Sequence, residues 1–201
     1  MNAKLSSPSV ERNREPILAA LRPLLPAAGL VLEVASGTGE HIAYLAAALP
    51  NVQFQPSDAD SDARASVDAW CEGLPNVQPA LDLDAARHDW PVERADAVLC
   101  VNMIHIAPWE AAQGLLTGAA RVLPPGGLLA LYGPFLRGGV HTAPSNAAFD
   151  ADLRARNPAW GVRRLEDVAA LAASAGFGPA DAVALPANNL LVAFRRSGAL
   201  R

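Results

Sequence analysis

Residues 30–41 read LVLEVASGTGEH, and the reading of this stretch decides the fold. Leu30 to Val34 is an apolar run of the length of a buried strand, with Glu33 near its end. Ala35, Ser36, Gly37, Thr38 and Gly39 follow, all with small side chains. Small residues let a backbone approach a ligand and let the next helix begin close by. After Glu40 and His41, Ile42, Leu45, Ala46 and Leu49 recur with the spacing of one helical face, and Pro50 ends the pattern. Strand, tight turn and helix in succession form the first part of a βαβ unit.

The same alternation extends outward. EPILAALRPLL before the quoted stretch predicts a helix that starts near Pro16, where proline is tolerated. NVQFQPSD, NVQPAL, ADAVLCVNM and GLLALYGPF predict the second to fifth strands. SDARASVDAWCEGL and PWEAAQGLLTGAARVL predict helices between them. LEDVAALAASAGF predicts a late helix closed by Gly176, and PADAVAL and NNLLVAFRR a final hairpin, one strand of which must be antiparallel. Strands alternating with crossover-length helices imply a mostly parallel sheet covered on both faces, in one α/β domain spanning residues 1–201. Residues 134–164 are too long for a plain connection. Arg137, Arg154, Arg156, Arg163 and Arg164 fall in or beside them, so this segment is either a solvated face or a lid over an anionic small molecule.

Composition excludes several classes. The formal charge of −4 and a pI near 5.5 favour neither nucleic acid nor an anionic membrane. No stretch approaches the roughly 20 apolar residues of a spanning helix, and the N-terminus lacks the apolar core of a signal peptide. Cys71 and Cys100 are the two cysteines, which suits a reducing, cytoplasmic setting. No His/Asp/Glu grouping has metal-ligand spacing, so no metal is expected.

In sheets of this type ligands bind at the carboxyl ends of the strands, where the order of strands reverses. The G-x-G-x-x-G/A dinucleotide pattern fails here in both registers, which meet Ile42 or Glu40 at the third position. Glu33 and Glu40 would also repel a pyrophosphate. Asp58 ends the second strand 21 residues after Gly37, where a carboxylate can accept both ribose hydroxyls. The site therefore suits a nucleoside joined to a cationic group, and S-adenosylmethionine has that chemistry.

The stretch VLEVASGTGEH is similar to motif I of class I S-adenosylmethionine-dependent methyltransferases, with Ala35 in place of its first glycine. The blocks RNREPI, EVASGTGEH, QPSDAD, NMIHIAPW, YGPF, SNAAFDADLRARNPAWG and ANNLLVAFRR resemble the domain-of-unknown-function 938 family, relatives of methyltransferase-like protein 26. This resemblance implies a Rossmann-like sheet of seven strands in the order 3-2-1-4-5-7-6, with strand 7 antiparallel. It implies that Glu33 and residues Ala35, Ser36, Gly37, Thr38 and Gly39 hold the methionyl part and that Asp58, with Ala59 beside it, holds the ribose. Asp82 and the Leu83 N–H would read adenine, with Asp84 and Asp89 as alternative readers, and Asn102 would line the methyl end. Arg12 and Asn13, expected just before the first helix, would either meet the cofactor carboxylate or cap that helix.

For transfer to a protonated acceptor, His105 is the first candidate base and His141 the second, each set against a purely packing or solvated histidine. Tyr132, Arg137 and Asn146 are candidate acceptor contacts. The expected function is methyl transfer to a small molecule, an anionic one among the candidates; the alternative is a nucleoside-binding module without catalysis.

Overall fold

A computed structural model describes residues 4–198. Its elements, in chain order, are α1 (Pro8–Leu21), β1 (Gly29–Val34), α2 (Glu40–Ala48), β2 (Val52–Asp58), α3 (Ser61–Cys71), β3 (Leu81–Asp82) and β4 (Ala97–Val101). They continue with α4 (Trp109–Val122), β5 (Leu128–Gly133), β6 (Leu136–Arg137), β7 (Val140–His141), α5 (Pro144–Arg156), α6 (Leu165–Ser174), β8 (Asp181–Leu185) and β9 (Asn189–Arg195). The seven-stranded sheet runs β3-β2-β1-β4-β5-β9-β8. Strands β1 to β5 pair in parallel, and β9 is antiparallel to both β5 and β8. Omitting the small β6–β7 hairpin, this is the expected order with its penultimate position filled by the antiparallel last strand.

Each sheet face buries one side of the alternating strands. Leu32, Val34, Val98 and Leu129 pack with Leu115 and Leu116 of α4 and Val168 of α6. Val31, Phe54, Leu99 and Ala130 pack with Ile17 and Leu21 of α1, Ile42 and Leu45 of α2 and Val67 of α3. Gly176, at φ +84°, closes α6 as a left-handed residue, as its position predicts.

Two expectations are corrected. Helix α1 begins at Pro8 rather than near Pro16, so Arg12 and Asn13 lie inside it and cap nothing. Pro16 is tolerated mid-helix, although it lacks the N–H that would reach the Arg12 carbonyl. The start is held from outside: the Ser7 N–H donates to Glu40 Oε2 at 2.7 Å and the Leu5 N–H to Ser66 Oγ at 2.7 Å. Strand β3 shrinks to two residues, because Pro79 cannot donate to the ladder and its carbonyl is taken instead by Gln55 Nε2 at 2.8 Å. The segment 134–164 is ordered as the β6–β7 hairpin followed by α5, a helix that covers SNAAFDADLRAR.

That segment packs on the carboxyl edge of the sheet. The Gly161 N–H donates to the His105 carbonyl at 2.9 Å, and Asn146 Nδ2 reaches the Asn188 carbonyl, beside the start of β9, at 3.0 Å.

Candidate functional site

The order of strands reverses at β1, which has β2 on one side and β4 on the other, so the crevice lies at the carboxyl ends of these strands. The turn leaving β1 uses three left-handed residues, Ala35 (φ 59°), Gly37 (φ 58°) and Gly39 (φ 88°). The two glycines serve different needs. A Cβ on Gly37 would have no atom within 4 Å, so this face of the turn is open. A Cβ on Gly39 would lie 2.6 Å from the Val67 Cα, so this glycine lets α3 close on the turn. The expectation that Gly39 leaves room for a ligand is thus corrected to a packing role. Ala35 holds a left-handed conformation with a methyl group, at a cost of about 1 kcal/mol.

The turn is tied on all sides. The Ser36 N–H donates to the Ser57 carbonyl at 2.9 Å, Ser57 Oγ donates to the Glu33 carbonyl at 2.8 Å, and Ser66 Oγ donates to the Thr38 carbonyl at 2.7 Å. Thr38 Oγ1 donates to Glu40 Oε2, the same oxygen that accepts the Ser7 N–H.

Glu33 is buried, and its Oε2 has no hydrogen-bond partner. Burial pushes its pKa up to about 7; the Ser36 hydroxyl opposes this and the charge of Asp58 adds to it. A buried acceptor without a donor calls for a cation or donor at that point. Asp58 sits across the crevice, with Oδ2 accepting the Gly37 N–H at 2.9 Å and Oδ1 the Asp60 N–H at 3.0 Å. Each oxygen keeps a lone pair for a further donor. Ala59 is exposed beside it. The residues present therefore fit a ligand with a cationic group near Glu33 and hydroxyls near Asp58.

Asp82 is exposed and lies 3.5 Å from Arg64 Nη1. Asp84 accepts the Ala86 N–H and Asp89 pairs with Arg87, so both alternatives to Asp82 are occupied locally. The Leu83 N–H is directed to the Asp58 carbonyl at 3.4 Å, so the donor expected for adenine already sits in the β2–β3 ladder. Asn102 ends β4 in a left-handed conformation (φ 61°), its N–H donating to the Tyr132 carbonyl at 2.8 Å.

The candidate histidines stand differently from their expectation. His105 has 0% exposure, its ring edge-on to Phe135 at 5.0 Å. Its Nδ1 accepts the Arg163 N–H at 3.3 Å, and Nε2 lies close over Gly133 without a partner. Burial, with the Arg163 charge, pushes its pKa down to about 3. Of the two readings of His105 this favours the packing one: Met103, Ile104 and His105 turn inward together as a short 3-10 turn, and the ring anchors the overlying segment. His141 is half-buried, with Nε2 3.4 Å from Asp150 Oδ2.

The five arginines do not converge on a ligand. Arg154 pairs with Asp150, Arg156 with Asp152, and Arg164 with Glu166 and Asp167. Arg163 donates to the Ile104, Ala107 and Ala159 carbonyls and lies over Trp109. Arg137 is exposed at the hairpin, and Asn146 is buried against Thr142 and Asn188. Of the two readings offered for this segment, these pairings favour the solvated face, with Arg154, Arg156 and Arg164 held by the chain's own acids.

Sequence reasoning missed His41, Arg64 and Asn189. His41 Nε2 meets Asn13 Oδ1 at 2.8 Å, and burial pushes the His41 pKa down to about 4. The signal was its place in α2 one position before Ile42, on the buried side. Among the described residues no group of three His, Cys, Asp or Glu side chains could hold a metal ion, and no helix is long and apolar enough to cross a membrane.

Solved structures share this architecture. An O-methyltransferase family protein from Burkholderia thailandensis matches with a TM-score of 0.81 at 17% identity, over 96% of this chain and 58% of its own. Human N-acetylserotonin methyltransferase in complex with SAM matches with a TM-score of 0.81 at 14% identity, over 94% and 53%. CalO1, a methyltransferase of calicheamicin biosynthesis in its SAH-bound form, matches with a TM-score of 0.71 at 19% identity, over 93% and 56%. The chain spans a little over half the length of these proteins, and at such identities the likeness is one of fold. The sequence itself narrows the assignment further: the profile described as "Protein of unknown function (DUF938)" matches residues 4–196, from before α1 to the residue after β9, and the chain belongs to that family.

Proposed function

We propose that the protein is an S-adenosylmethionine-dependent methyltransferase acting on a small-molecule acceptor in the cytoplasm. The observation that carries this reading is the buried Glu33 carboxylate, whose Oε2 lacks a partner beside an open glycine turn. Glu33 would hold the cationic methionyl end and Asp58 the ribose hydroxyls, with Asp82 at the adenine and Asn102 at the methyl end. Bound there, S-adenosylmethionine supplies a methyl group activated by its sulfonium. The chain's own share is to orient that group, to exclude water and to bring an acceptor in line with it. Residues 134–164, packed on the carboxyl edge, would roof the acceptor side. The two free thiols suit a reducing compartment, since burial pushes both Cys71 and Cys100 up to about 12 and leaves them unreactive.

One observation favours a second reading, a binding module without catalysis. His105 is sealed in the core and His141 faces Asp150, so neither candidate base is open to an acceptor. Titration calorimetry tests the first reading. S-adenosylmethionine and S-adenosylhomocysteine should bind and NAD should not; NAD binding tighter than both would overturn it. Binding with no methyl-labelled product from any acceptor fraction would favour the module.

A further inference from the structure

We infer that a cavity of about 240 Å³ between α1, the end of β5 and the β8–β9 turn is the acceptor site, and that it takes a small organic anion with an apolar body. This rests on the methyltransferase reading above. Arg12 and Asn13 of α1, Tyr132 of β5 and Asn189 of β9 supply its polar lining, with Pro16 and Pro186 among its apolar walls.

Four observations carry it. The place is right: Tyr132 ends β5, which is two strands from β1 across β4, so at the usual strand spacing the cavity lies on the order of 10 Å from the glycine turn along the same edge. Of the polar groups Tyr132 is buried, Asn13 and Asn189 are half-buried, and Arg12 is exposed. Tyr132 is 3% exposed, with Asn13 and Asn189 lining the cavity beside it. Asn13 is itself fixed from behind by His41 of α2, with its Oδ1 turned to the ring. Asn189 is fixed likewise, its Nδ2 donating to the Pro186 carbonyl at 3.2 Å. The charge is right as well. Arg12 lines the cavity and no acid does, whereas the arginines of residues 137–164 are largely taken up by carboxylates and carbonyls of the chain. Finally, the volume equals roughly eight waters, which fits a metabolite-sized molecule and not a polymer.

The test uses the full chain and four probes: benzoate, phenyl phosphate, benzyl alcohol and inorganic phosphate. Binding is read from backbone amide shifts. Either organic anion should shift residues 9–16 and 186–189 saturably, and the stronger of the two names the anion as carboxylate or phosphate. Benzyl alcohol and inorganic phosphate should each bind at least tenfold more weakly, since one lacks the charge and the other the apolar body. Arg12→Ala should weaken the anion at least tenfold and Tyr132→Phe several-fold, while calorimetry finds S-adenosylmethionine affinity unchanged in both. The inference is overturned by anions that leave these amides unshifted, by inorganic phosphate binding equally well, or by Arg12→Ala without effect. It is also overturned if cofactor affinity falls in step, which would return Arg12 to the cofactor site. Wild-type protein that binds the anion but not S-adenosylmethionine would retain the cavity as an anion site and refute both its acceptor role and the methyltransferase reading.

Discussion

The Gly37 N–H donates to Asp58 Oδ2 at 2.9 Å, so the acid that ends β2 clasps the turn that leaves β1. One carboxylate thereby both shapes the crevice and offers its remaining lone pairs to a ligand. Asp58→Ala should lose both. We expect S-adenosylmethionine affinity to fall by about 1.5–3 kcal/mol, roughly ten- to a hundredfold, by calorimetry. Asp58→Asn keeps an acceptor for Gly37 and should lose less. Equal affinity in Asp58→Ala and the parent protein would place the ribose elsewhere.

Glu33 makes cofactor binding depend on pH. Its folded pKa, about 7, lies above the ordinary 4.5, so the folded protein holds a proton that the unfolded chain has released. Its contribution to stability is therefore present below about pH 4.5 and lost as pH rises through 7, by ~3 kcal/mol in all. Glu33→Gln should stabilise the ligand-free protein at pH 8 and change little at pH 4, as read from denaturant midpoints. A cationic ligand favours the carboxylate, so affinity should rise between pH 6 and 8 with release of a proton. Calorimetry in buffers of different ionisation enthalpy would detect that proton, and Glu33→Gln should abolish it.

The turn glycines should separate binding from folding. Gly39→Ala drives a methyl group into the Val67 backbone at a positive φ and should cost roughly 2 kcal/mol or more in stability. Gly37→Ala meets only the backbone strain, about 1 kcal/mol, and should show its larger effect on cofactor affinity. Ala35→Gly relieves the strain at φ 59° and should be neutral or stabilising by up to about 1 kcal/mol. Equal thermal shifts for the Gly37 and Gly39 variants would refute the distinction.

The sheet was legible because β1, β4 and β5 are largely apolar runs and β2 opens with the alternation Val52-Gln53-Phe54-Gln55, all bounded by helical periodicity, patterns that depend on local spacing alone. Glu33, Asp58 and the turn were legible for a related reason: acids and small residues at strand ends break that pattern. What escaped depends on partners distant in sequence. Nothing near Pro16 reports that Ser7 is held by Glu40, which lets α1 start eight residues earlier. Nothing near Asp58 reports the Gly37 clasp. For His105 the strand-end position suggested a base and the apolar Met103, Ile104 and Ile106 around it a packing role; the buried ring follows the second signal. The arginines suggested a ligand because their acids, Asp150, Asp152, Glu166 and Asp167, were counted as surface charge rather than as partners.

The two buried histidines should govern acid stability. His105, at about 3, and His41, at about 4, both titrate below their ordinary 6.5, because burial disfavours the imidazolium. In acid the unfolded chain binds protons that the folded protein refuses, so stability falls as pH drops from about 6.5 toward 4, and further toward 3 for His105 alone. Glu33 acts in the opposite direction between about 4.5 and 7, so the net slope there should be shallow in the parent protein and steep in Glu33→Gln. His41→Gln in the Glu33→Gln background should flatten that slope by one proton, and His105→Gln by another. Because Arg163 N–H donates to His105 Nδ1, the His105 variant should also loosen residues 159–164, seen as faster amide exchange there, while His41→Gln should not. Urea midpoints followed from pH 4 to pH 8 would decide it: a slope unchanged by both substitutions would mean that the imidazoles titrate normally in the folded protein.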